Sequence, residues 1–201
     1  MAAPGRGLFG DPRLWRLVGV TVAMTAAQYA FIGFLVLFLT DGRRVGLTEA
    51  ALALVALQAA SIVTRIAVGR WSDRVGSRLR PLRTLSLVAA AGLLAVAFAA
   101  DAPAVLLAPS LVVAGLASVS WNALTFAASA EMAPPGAAGA AIGVQNTALA
   151  LSAALFLPLF GAVVDATSWS VGFGAAGMAP IVAALLLRGV PDDAVAGQTS
   201  R

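Results

Sequence analysis

The chain has 201 residues, of which 60% are hydrophobic and 11% charged, with a mean hydropathy of +0.93 and a formal net charge of +4. A soluble domain carries about 45–50% apolar and about 25% charged residues, so much of this chain must use lipid as its solvent. No Cys, His or Lys is present, which excludes disulfides, Cys or His metal sites, Ser-His and Cys-His catalysis and Schiff-base lysines.

Charges punctuate the sequence, and the gaps between them can be compared with the roughly 20 residues that a helix needs to cross a bilayer. After a short segment, 1–13, the first predicted span covers about 14–40. Its apolar run, Leu17 to Thr40, is longer than the about 7–15 residues of a signal peptide and reads as an uncleaved span. Thr21, Thr25 and Gln28 follow i, i+4, i+7 along one stripe, with Tyr29 beside it.

The second span, about 47–69, carries Gln58, Ser61 and Arg65 at i, i+3, i+7. Arg65 falls about one turn from the predicted end, where it can snorkel, pair with the following loop or act on a solute. The third span, about 82–100, is apolar after Ser86. The fourth, about 103–130, places Ser118, Asn122, Thr125 and Ser129 on one stripe, with Trp121 adjacent.

The fifth span, about 137–164, holds Gln145, Asn146 and Ser152, with Gly139 and Gly143 spaced for a close helix contact. The sixth, about 166–188, is apolar after Ser170. Its Gly172-Phe-Gly174-Ala-Ala-Gly177 fits a dinucleotide fingerprint, but no strand precedes it, and close packing is the better reading. Residues 189–201 read as a disordered tail.

Six spans place both termini on one side, and ten arginines fall there. Arg43 and Arg44 lie opposite and Arg65 lies within a span. This excess sets both termini in the cytoplasm of a cell-membrane protein and explains the basic charge without nucleic acid. The polar residues Gln28, Tyr29, Gln58, Trp121, Asn122, Gln145 and Asn146, all in spans one, two, four and five, are candidates for lining a cavity. The alternative is that each is interhelical glue. Spans three and six then lie outside.

Between spans two and three runs Gly69-Arg-Trp-Ser-Asp73-Arg74-Val-Gly76-Ser-Arg78-Leu-Arg80-Pro-Leu-Arg83. Gly69 allows close helix contact and Gly76 a tight turn. Asp73 can pair alternately with several guanidiniums, which suits a latch; simple anchoring is the alternative.

This loop resembles the signature G-x-x-x-D-R/K-x-G-x-R/K-R/K of the major facilitator superfamily. Gly69, Asp73, Arg74, Gly76 and Arg78 match, while Leu79 departs from the last basic position and Arg80 comes one place late. Trp121-Asn122, Ala130-Glu131-Met-Ala-Pro134, Gly139, Gly143, Asn146, Pro158, Phe160-Gly161 and Asp165 resemble helices ten and eleven of such a protein. Residues 8–190 thus resemble its C-terminal six-helix half.

The resemblance implies an all-α membrane protein with six transmembrane helices as a 3+3 inverted repeat. It implies alternating-access transport of a small solute, with no enzyme activity, cofactor or metal. An N-terminal half or a second copy would cover the cavity face. A truncated gene product is the further option, favoured by the linker-like Gly7 to Arg16. A non-transporting membrane assembly or regulatory subunit is the alternative function.

Overall fold

The computed structural model describes residues 7–190; the expectations for 1–6 and for the tail from 191 onward lie outside the described residues. Seven α-helices form six segments long and apolar enough to cross a membrane, and no strand occurs among the described residues. Helix α1, Pro12–Leu37, starts where the Asp11 carboxylate accepts the Arg13 backbone N–H at 2.8 Å and Pro12 occupies the first turn. It runs on through a π turn, Phe38–Gly42.

Helix α2, Leu47–Val75, stops at Gly76, whose φ of 65° forms a left-handed cap. The Ser77 N–H then returns to the Ser72 carbonyl at 3.3 Å. Next come α3 (Leu79–Ala99), α4 (Ala104–Val119), α5 (Asn122–Met132), α6 (Ala138–Ala166) and α7 (Trp169–Leu187). Ser168 caps α7 by accepting the Val171 N–H at 3.3 Å.

Two helices differ from the sequence expectation in ways that bear on function. Helix α2 continues past residue 69 to Val75, because nothing before Gly76 breaks it. Arg65 therefore sits about 15 Å from the helix end at 1.5 Å per residue, rather than one turn from it. The fourth span, expected as one helix, is interrupted at Ser120 (φ −102°, ψ 8°) and Trp121 (φ −94°, ψ −28°).

Packing is most extensive between α3 and α7, with α4 against α3 and α1 against both α7 and α6. Small residues permit this, as expected where lipid removes the hydrophobic drive between helices. A Cβ on Gly92 of α3 would sit 2.7 Å from the backbone of Ala114 in α4. One on Gly172 would sit 2.6 Å from the Val164 side chain and one on Gly177 3.1 Å from Leu94, so these two glycines of α7 serve packing.

Thus α3 and α7, expected outside, are the best-packed pair within this unit. Helices α2 and α6 are the least buried, presenting Val63 at 70% and Leu151 at 68% exposure. The partners correspond between the two triplets: α1 packs on α7 and α6 as α4 packs on α3 and α2. A two-fold relation between three-helix repeats produces such a pattern.

Candidate functional site

The interruption between α4 and α5 is built without Pro or Gly. Ser120 bonds its hydroxyl back to the Leu116 carbonyl at 2.7 Å, a local competitor of the helix ladder. Trp121 is fully buried, and its indole N–H donates to Gln28 Oε1 of α1 at 3.0 Å. Val119 ends α4, where carbonyls lack intrahelical donors and carry partial negative charge. Arg65 Nε of α2 donates to that carbonyl at 3.0 Å.

Arg65, Val119, Ser120, Asn122, Ala123 and Phe126 line a recess of about 260 Å³. Asn122 Oδ1 is buried there without a hydrogen-bond partner. The break and Arg65 each lie within about 6 Å of the middle of their segments. Arg65 shares a stripe with the buried Ser61, Val68 and Ser72, so it points toward α4 while the rest of its guanidinium stays exposed. It makes no ion pair with the following loop among the described residues.

Four of the residues singled out from the sequence thus gather at the break: Gln28, Arg65, Trp121 and Asn122. Gln145 belongs elsewhere. It is fully buried, accepting from the Thr21 hydroxyl at 2.6 Å and donating to Ser129 Oγ at 2.8 Å. That satisfied amide ties α1, α5 and α6 together, the arrangement expected of interhelical glue. Gln58 and Asn146 are exposed on α2 and α6, and Tyr29 is half-buried on α1. Among the described residues their side chains form no hydrogen bond with either group.

In the loop, Arg78 is the hub. Its Nη1 donates to Asp73 and, at 3.1 Å, to Ser72 Oγ, while Nε donates to Glu131 Oε1 at 3.0 Å. The Asp73 hydrogen bond, followed by Glu131, raises the Arg78 pKa above its ordinary value against the opposing effect of burial. Glu131 was not singled out for this role from the sequence; a carboxylate closing a span on the arginine-rich side was its signal. Helix α5 therefore carries the break at one end and this ion pair at the other.

The family model of the Major Facilitator Superfamily matches residues 17–201. The chain belongs to that superfamily. Two curated relatives from Mycobacterium tuberculosis are the uncharacterized MFS-type transporters MT3072 (strain CDC 1551 / Oshkosh) and Rv2994 (strain ATCC 25618 / H37Rv). Each is 30% identical over 187 residues, covering 93% of this chain and 41% of the relative. The chain thus spans about two-fifths of the length of the curated relatives it matches. Family and fold together make it a multi-pass membrane protein of a transporter family, and point away from an enzyme.

Within this facilitator-superfamily chain, the signature loop departs from the latch expected of it in two ways. Arg74 is exposed and makes no ion pair among the described residues, because Arg78 takes both carboxylates. Gly76 has the positive φ that glycine suits, but a Cβ added to Gly69 would meet nothing within 4 Å, and the same holds for Gly139 and Gly143. Among the described residues these three glycines make no close helix contact, since they lie on α2 and α6, the least covered helices.

Proposed function

We infer that this chain forms one half of a secondary transporter that moves a small solute across the cell membrane by alternating access. The observation that carries this reading is the mid-span break, where Arg65 and Asn122 line a recess and Trp121 beside it bonds to Gln28. Irregular backbone at membrane depth is tolerated where it is buried in protein or lines a watery cavity, and transporters build solute sites from such discontinuous helices. The exposed guanidinium offers donors to a solute with acceptor oxygens. No Asp or Glu lies deep in a span, so a proton-coupling carboxylate would come from the other half, or the carrier is a uniporter or exchanger.

The open sides of α2 and α6, with Gln58, Asn146, Gly69, Gly139 and Gly143, are where a second six-helix unit would sit. That unit is an N-terminal half or a second copy. The excess of arginines on one side supports a cytoplasmic position for both termini. Rocking of the halves would load α5 at the solute site and release or reform the Arg78–Glu131 pair at its other end.

Counterflow in proteoliposomes tests this, using the chain alone and then with an N-terminal half, across a broad solute panel. Solute flux that disappears in Arg65→Ala is expected. Absence of flux in both preparations, with stable co-purification in a larger complex and silent Gln28 and Asn122 substitutions, would instead identify an assembly subunit.

A further inference from the structure

The geometry points to a binding site for the phosphate of an anionic phospholipid between α3 and α7, at the arginine-rich end. A recess of about 210 Å³ lies there, lined by Leu79, Arg80 and Arg83 of α3 and by Leu187, Arg188 and Val190 at the end of α7. Leu79, Leu187 and Val190 are buried and form an apolar floor, while the three arginines are exposed around it. Among the described residues no carboxylate pairs with Arg83 or Arg188. Two cationic side chains beside one recess, with no anion from the described protein, leave a local positive charge for a ligand to neutralise.

The surroundings select a lipid over a free ion. Leu87 lies four residues from Arg83 on the same face of α3, and Leu185 three residues from Arg188 on the same face of α7. Both are exposed, at 48% and 52%, so apolar surface runs from the basic rim into the hydrocarbon. A phosphodiester held by the guanidiniums would lay its acyl chains along Leu87 and Leu185. Trp15, 52% exposed at the start of α1, marks the depth of the membrane interface near this level. Arg16 donates to the Gly189 carbonyl and so fixes the end of α7 that forms one side of the recess.

Basic pockets between helices at this membrane level suit anionic head groups, and a guanidinium recognises phosphate through paired donors. The inference requires only that the chain spans a bilayer; it stands whether or not the chain transports.

The test titrates the purified 201-residue chain with dioleoyl phosphatidylglycerol, dioleoyl phosphatidylcholine or inorganic phosphate, reading bound lipid by native mass spectrometry and thermal unfolding in parallel. Phosphatidylglycerol is expected to bind in preference to phosphatidylcholine, and Arg83→Gln or Arg188→Gln each to weaken that preference about fivefold, the equivalent of ~1 kcal/mol per arginine. Arg83→Lys keeps most of the preference, and Arg44→Gln at the opposite end leaves it unchanged. Both glutamine variants replace exposed side chains, so each carries the test without the other. Equal binding of the two lipids, or undiminished preference in both glutamine variants, overturns the proposal. Inorganic phosphate that stabilises the chain as well as phosphatidylglycerol does would make this a free-anion site and overturn it too.

Discussion

Arg78 Nε in the loop after α2 and Glu131 Oε1 at the end of α5 meet at 3.0 Å, joining segments 53 residues apart. The side chains are 27% and 33% exposed, so water screens the pair and its worth is ~0.5–1 kcal/mol. Glu131→Gln is expected to cost about that much in unfolding free energy and Arg78→Ala more, since it also removes the contacts to Asp73 and Ser72, with the double variant costing less than the sum. Turnover should fall at least about fivefold, because the pair would bias one arrangement of helices over another. A double-mutant cycle on stability, run beside counterflow rates, checks both expectations; unchanged turnover would reduce the loop to an anchor.

Arg65→Ala should abolish solute flux while shifting stability by no more than ~1.5–3 kcal/mol, the scale of one hydrogen bond to a charged group. Arg65→Lys retains the charge but lacks the planar fork, and is expected to keep partial flux. Initial rates and thermal unfolding measured on one preparation separate the outcomes. Normal flux with early unfolding would leave Arg65 as a helix cap alone.

For Gln145 the expectation is reversed. Gln145→Ala removes two buried interhelical hydrogen bonds and opens a cavity, at a cost of ~1–3 kcal/mol. The folded fraction should retain its apparent solute affinity. A raised KM at undiminished stability would return Gln145 to the solute site.

Gly92→Ala should be poorly tolerated, since its new methyl would lie 2.7 Å from the Ala114 backbone, which no rotamer change can relieve. Gly143→Ala meets nothing within 4 Å and should leave the stability of this unit unchanged. Yield and unfolding temperature of the two variants in detergent compare them directly. If α6 faces a second six-helix unit, Gly143→Leu should reduce co-purification with that unit.

The carboxyl of Asp11 is held below its ordinary range, chiefly by the hydrogen bond from the Arg13 side chain, against the opposing effect of burial. A lowered folded pKa stabilises the protein above the unfolded value of about 3.9, and this contribution is lost as pH falls through the folded value. Asn also caps helices well, so Asp11→Asn isolates the charge. The difference in unfolding temperature between the two proteins should be flat from about pH 5 to 8 and shrink below about pH 4.

The six spans were legible because each charged residue near a helix end is costly to move into hydrocarbon, and such residues bracket every apolar run. The break in the fourth span was not legible. Breaks usually show as Pro or Gly, whereas Ser120 and Trp121 interrupt the helix with support from Gln28 and Arg65, which are remote in sequence. The amides did not reveal which of them would find buried partners. Asn122 at the recess and Gln145 between Thr21 and Ser129 look alike on an apolar helix, and only tertiary packing separates them. Arg78 and Arg74 were likewise equivalent until the fold brought Glu131 beside one of them.

Gly92 lets α3 and α4 touch backbone to backbone, and these two helices are joined directly by the short turn through Asp101 and Pro103. That contact needs no later part of the chain, so it can form as soon as the hairpin has entered the bilayer. Helix α7, the most extensive neighbour of α3, is synthesised last among the described helices. The innermost seam of the unit would therefore begin as a local hairpin and be completed by its final helix, so a ribosome stalled before Trp169 would hold a chain whose centre is half assembled.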